Sequence, residues 1–106
     1  MVVYANQPYP GTRISYCGAP ASPNHDPDAD ATLSLVSHEQ MEAVTDLSYR
    51  AWWSGDAYTG EIADICFSWE PLDEDRGKAN QLWNGHYYIL QNEWSNAAGG
   101  CVQEGP

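Results

Sequence analysis

The sequence predicts an α+β domain, one central amphipathic helix packed on a small antiparallel sheet. Two patterns and one absence predict it. From Asp30 to about Leu47, apolar residues recur at helical spacing. Further on, "NQLWNGHYYILQNEW" (80–94) sets Asn84-Gly85 between apolar runs, and that pair takes the positive φ angles of a two-residue hairpin turn. No internal repeat or linker divides the chain, so its 106 residues are expected to form a single domain.

The elements follow in order. "VVYA" (2–5) reads as a short strand, and "NQPYPGT" turns the chain with two prolines and a glycine. "YCGAPASPNHDPDAD" (16–30) is an irregular loop. The helix starts where Asp28 or Asp30 can accept the free N–H groups of a first turn. At 100° per residue Leu33, Val36, Met41, Ala43, Val44 and Leu47 share one side, the side expected to be buried. His38, Glu42 and Asp46 stack one turn apart on the opposite, wet side, with Glu39 beside them. An aromatic loop follows, then a short ordered piece around 61–69 and an exposed charged run, "LDEDRGK". In the hairpin, Trp83, Tyr87, Tyr88 and Trp94 are expected to divide between its two faces, and a continuous exposed side would suit self-association.

Charge narrows the function. Fifteen acidic residues against four basic ones give a formal net charge of −11. Such a surface repels phosphate backbones and anionic membranes and suits divalent cations. No apolar run approaches the roughly 18 residues of a membrane span. Three cysteines, Cys17, Cys66 and Cys101, allow three pairings with one thiol left over. Scarce lysine, five tryptophans, seven tyrosines and acidic loops favour an extracellular setting.

The chemistry concentrates in "SHEQMEAVTD" (37–46). His38 and Glu39 begin the H-E-x-x-H signature of zinc proteases, with Glu42 in place of the second histidine. Ligands one helical turn apart face the same ion, and a glutamate directly after the first can take a proton from water. His38 and Glu42 therefore fit ligand positions and Glu39 fits a general base. The third ligand is expected from "GEIADIC", as Asp64 or Glu61, with His86 a more remote candidate. One histidine and two carboxylates neutralise a divalent ion. That softens its pull on water and suits calcium, manganese or magnesium better than zinc. The plainer reading is an acidic protein's solvated helix face.

Asp26, Asp28 and Asp30 have the alternate spacing of calcium loops, although the bending glycine and the late bidentate glutamate are missing. Trp52 and Trp53, with Tyr49 and Tyr58, can make a platform for a sugar ring or an apolar side chain; packing over the helix is the preferred reading. No G-x-S-x-G elbow is present.

"PNHDPDADATLSLVSHEQMEAVTD", "AWW", "GEIADIC" and "NGHYYILQNEWSNAAGGC" in series resemble bacterial and fungal secreted proteins related to the plant phosphate-induced (exordium-type) proteins. The resemblance runs from Tyr4 to Cys101. It implies a secreted, zincin-like α+β domain with the H-E-x-x-E helix at its centre, and Cys66 paired with Cys101, leaving Cys17 unpaired. Relatives carry a longer upstream region, which would make this chain the C-terminal half of such a domain or a minimal version. The plant members lack the helix histidine and glutamate, so the scaffold can outlast its chemistry.

Two functions follow. One is an extracellular metalloprotein, with zinc or calcium, hydrolysing a peptide or cell-wall substrate through Glu39. The other is a non-catalytic cell-wall, signalling or filament domain that meets an upstream segment or further copies of itself.

Overall fold

The computed structural model describes residues 2, 4–12, 18–55 and 60–105. It is a small α+β fold with one long helix and two separate two-stranded antiparallel sheets. Helix α1 spans Pro27–Asp46. Strands β1 (Gln81–Trp83) and β2 (His86–Tyr88) form one hairpin; β3 (Glu93–Ser95) and β4 (Gly100–Val102) form the other. Short 3-10 turns occupy Pro10–Thr12 and Glu74–Arg76.

The helix begins three residues before the expected start, because Pro27 occupies its first turn, where a missing N–H costs nothing. The cap is Asp26, whose Oδ1 accepts the Ala29 N–H at 3.1 Å. Asp28 instead receives the Tyr9 hydroxyl. Asp30 is buried and accepts from the Ser22 hydroxyl and from the backbone and side-chain amides of Asn24. The predicted strand at 2–5 does not form. Residues 2, 4 and 5 carry no regular structure, and Val2 and Tyr4 stand in solvent with no strand beside them among the described residues. Val3, Cys17 and Tyr58 lie outside the described residues.

The larger correction concerns which way α1 faces. Asp30, Ala31, Ser34, Glu42 and Asp46 are its buried residues. The expected core side points outward, with Leu33 41%, Leu47 50% and Val44 73% exposed. The reason lies in what the polar side meets. Trp69 Nε1 donates to Ser34 Oγ at 3.1 Å, His38 meets Gln91, and Asp46 binds the two backbone amides that follow the helix. A buried polar group with a partner is tolerated, whereas one without is costly. Apolar periodicity cannot register such partners, and the elements carrying them all lie on the His38 side.

The hairpins confirm the turn and shorten the element. Gln81 pairs with Tyr88, Leu82 with Tyr87 and Trp83 with His86. Asn84 (φ 51°) and Gly85 (φ 80°) supply the left-handed pair. The expected hairpin of 80–94 stops at Tyr88, because the next four residues, Ile89 to Asn92, run buried through the middle of the molecule. Trp94 therefore belongs to the second hairpin, opposite Cys101.

Apolar burial is thin. Ala31, Ala63, Cys66, Ala79, Ile89 and Leu90 are the buried hydrophobic residues among those described. Side-chain amides extend this core. Asn80 donates to the Trp69 and Leu90 carbonyls and accepts the Leu90 N–H, as a strand backbone would. Asn92 donates to Ser68 Oγ and the Glu70 carbonyl, and Gln103 donates to the Leu90 carbonyl. Cys66 and Cys101 are joined across 35 positions, tying the turn before Cys66 to β4. The pairing implied by the family resemblance is the one present.

With so small a core, that crosslink is a main determinant of stability. Cys66→Ser with Cys101→Ser is expected to lose about 2–4 kcal/mol in urea unfolding. A loss below about 1 kcal/mol would mean that the amide network holds the fold unaided.

Candidate metal centre

The site is assembled from three segments. Helix α1 supplies His38 and Glu42 one turn apart. The turn at 62–65 supplies Asp64, and the buried run before β3 supplies Gln91. Four attachments fix that turn. Gln91 Nε2 donates to the Ala63 carbonyl at 2.7 Å and to the Cys66 carbonyl at 2.9 Å. The Trp94 N–H donates to the Ile62 carbonyl, and the disulfide anchors Cys66.

Because both Gln91 amide hydrogens are directed to carbonyls, its Oε1 must face the ring. It lies 3.2 Å from His38 Nδ1. An amide oxygen only accepts, so Nδ1 carries a proton. Nε2 is then either a second N–H or a lone pair available to a cation. It points into acid, 3.1 Å from Glu42 Oε1 and 3.4 Å from Asp64 Oδ1. The three ligand atoms lie within 4.8 Å of one another, the one such group of three among the described residues. The 3.1 and 3.4 Å separations match the edges of a coordination shell with bonds of about 2.0–2.1 Å, which run roughly 3.0–3.4 Å.

Electrostatics point the same way. Glu42 is 8% exposed and Asp46 3%, yet Glu42 Oε1, Asp46 Oδ2 and both Glu93 carboxylate oxygens are buried without a hydrogen-bond partner. Glu42 Oε1 lies at ion-pair distance, 3.1 Å, from His38 Nε2. Burial by itself would depress His38; the Glu42 carboxylate, then the Gln91 contact and Glu39, reverse this and push it up to about 9. Burial raises Glu93 to about 7, with Glu42 adding and His38 opposing. Asp64 is raised by burial and by Glu42, against the pull of His38. Glu61 is raised by burial, then by Glu42, Asp64, Asp46 and Glu39. One imidazole thus sits among an excess of carboxylates whose mutual repulsion a bound cation would relieve.

Of the residues singled out in the sequence, His38, Glu42 and Asp64 come together. Glu61 stays outside that group. It lines a polar pocket of about 330 Å³ with Glu39, Glu42 and Asp46. Glu39 is exposed on the wall of this pocket, and His86 is exposed on the β-hairpin. The aspartates at 26, 28 and 30 do not gather as a calcium loop would require, since each serves a different partner. Gln91 and Glu93 escaped notice in the sequence, and Asp46 figured there only as part of the wet helix side. A glutamine one residue after a buried apolar pair carries no motif, and only the fold places it against the helix.

No family model matches the chain, and no curated protein or solved structure shows significant similarity to it.

The raised groups set a pH dependence for the metal-free protein. A group whose folded pKa exceeds its unfolded value stabilises less as pH rises between the two. For Glu93 that window runs from 4.5 to about 7, and for His38 from 6.5 to about 9. In chelator, unfolding midpoints should therefore fall steadily from about pH 4.5 to 9. A midpoint rising across that range would contradict the His38–Glu42 pairing.

Proposed function

We propose that this protein is a secreted, zincin-like metalloprotein, with His38, Glu42 and Asp64 holding a divalent ion and Glu39 serving as general base for peptide hydrolysis. The observation that carries the reading is the Gln91 contact. It keeps the proton on Nδ1 and turns Nε2 towards two carboxylates, the arrangement that second-sphere partners impose on metal-binding histidines. The crowding of carboxylates supports it, because Glu42 and Asp64 both lie beside the one imidazole and a bound cation would relieve their repulsion. Secretion is supported by the Cys66–Cys101 bond, which persists in oxidising compartments. The resemblance to exordium-type proteins agrees with both.

A bound divalent ion would supply Lewis acidity towards water and towards a substrate carbonyl. The chain's own residues do the rest. Gln91 holds the His38 ring, and the tethered turn holds Asp64. Glu39 follows His38 directly and is near enough for its charge to act on both His38 and Glu61. Its carboxylate takes the proton from the attacking water and returns it to the leaving nitrogen. One histidine and two carboxylates would neutralise a bound divalent ion, so the Lewis acidity it supplied would be weaker than at a two-histidine site.

A specific observation favours a second reading, a non-catalytic assembly domain. The outward stripe of α1, with Leu33, Val44 and Leu47, is the kind of surface that another chain covers.

Protein purified without added metal should carry about one zinc or manganese per chain by elemental analysis, lost in His38→Ala. Gln91→Leu should weaken that metal's affinity roughly 10- to 100-fold while the protein stays folded. An unchanged affinity would remove Gln91 from the centre.

Glu39→Gln separates chemistry from binding. The variant should retain the ion and lose peptide hydrolysis by a factor of at least about 100. Full activity in that variant would exclude Glu39 as the base, and an inactive wild-type protein with bound metal would favour the assembly reading.

A further inference from the structure

Asp64 also borders a cleft of about 780 Å³, within the size range of small-molecule and side-chain sites. Its walls include Trp52, Trp53, Trp94, Ile65, Asp64 and Asn96. Helix α1 ends in the support for one wall. Asp46 Oδ1 accepts the Arg50 and Ala51 N–H groups at 2.6 and 2.7 Å, and the Trp52 N–H donates to the Thr45 carbonyl. These bonds fold the loop back on the helix and present Trp52 and Trp53, the latter 42% exposed. The opposite wall is β3, where Trp94 Nε1 donates to Asn96 Oδ1 at 2.9 Å. Asp64 belongs to both places: Oδ1 faces His38, while the side chain, 33% exposed, borders the cleft.

We propose that this cleft binds the basic side chain, lysine or arginine, of an extended peptide and delivers its backbone to the His38–Glu42–Asp64 centre. The inference names a substrate class for the activity proposed above and rests on that reading for the delivery step alone. Three features select a cation. Indole faces carry the negative pole of the ring quadrupole, and tryptophan is the best aromatic partner for an ammonium or guanidinium group. The cleft has, among the described residues, no basic side chain in its walls to repel a cation, and its one carboxylate, Asp64, is shared with the metal group. The formal charge of −11 draws cationic chains in and repels anionic ones before contact. The long methylene stem of lysine or arginine also suits Ile65 and the indole edges.

The test is equilibrium binding in chelator, followed by tryptophan fluorescence on the full chain. The probes are acetyl-Ala-Ala-Lys-Ala-amide, the same peptide with norleucine or glutamate in place of lysine, and a neutral chitin tetrasaccharide. Lysine should bind about tenfold tighter than norleucine, with glutamate weakest, and added salt should erode the lysine advantage. Trp53→Ala, at a partly exposed position, should remove most of that advantage; Trp94→Phe checks the opposite wall with little change in packing. Equal binding of lysine and norleucine would overturn the proposal in favour of a merely apolar groove. Binding of the saccharide but not the peptides would make the cleft a sugar site, and no response to any probe would remove it as a site. Because metal is excluded, the two readings fail separately. Lysine preference without any metal in the purified protein would leave the cleft and sink the hydrolase, and metal without lysine preference would do the reverse.

Discussion

The Gln91 carboxamide ties three segments of this molecule together at the candidate site. Its two N–H bonds go to the carbonyls of Ala63 and Cys66, and its oxygen faces His38. One side chain therefore holds the turn that carries Asp64, sets the histidine tautomer and joins the buried run before β3 to the helix. These contacts are buried, where a lost partner leaves a polar group unsatisfied and costs several times what an exposed contact would. The His38 ring faces Glu42 and Asp64 because this amide can point in only one way.

That constraint accounts for the orientation of α1. A helix usually buries its apolar stripe, and this one buries a seam of Asp30, Ser34, Glu42 and Asp46 with His38 half-buried among them. Asp30, Ser34, His38 and Asp46 each meet a different donor or acceptor, and Glu42 lies against His38. Asp46 is the least expected member, since a carboxylate at a helix C-terminus opposes the helix dipole. Two short bonds from the Arg50 and Ala51 N–H groups compensate and shape the tryptophan loop. The metal group and the aromatic cleft are consequently parts of one polar framework that meets at Asp64.

The sequence was legible where local chemistry decides. Asn84-Gly85 named the hairpin turn because few other pairs accept its φ angles, and the i, i+4 spacing of His38 and Glu42 placed their side chains together on geometry alone. Asp64 was within reach, together with Glu61, because both acids follow the helix where a return loop can bring them back to it. Long-range polar pairing was hidden: nothing near Gln91 in the chain indicates His38, 53 positions earlier. The direction of the helix was misread for the same reason, since periodicity counts apolar residues and cannot weigh satisfied polar ones. The strand expected at 2–5 failed on a similar point, because β propensity needs an adjacent edge to act on.

The outward stripe of leucine and valine on α1 has a consequence for how the molecule behaves in bulk. Identical copies bearing eleven excess negative charges are kept apart by Coulomb repulsion, which shields that greasy stripe from self-contact. As the medium is acidified towards the isoelectric point near 4.2, the repulsion vanishes while the stripe does not change. Colloidal solubility of this protein is thus held by its ionisation, and mildly acidic surroundings turn an inert helix face into an adhesive one.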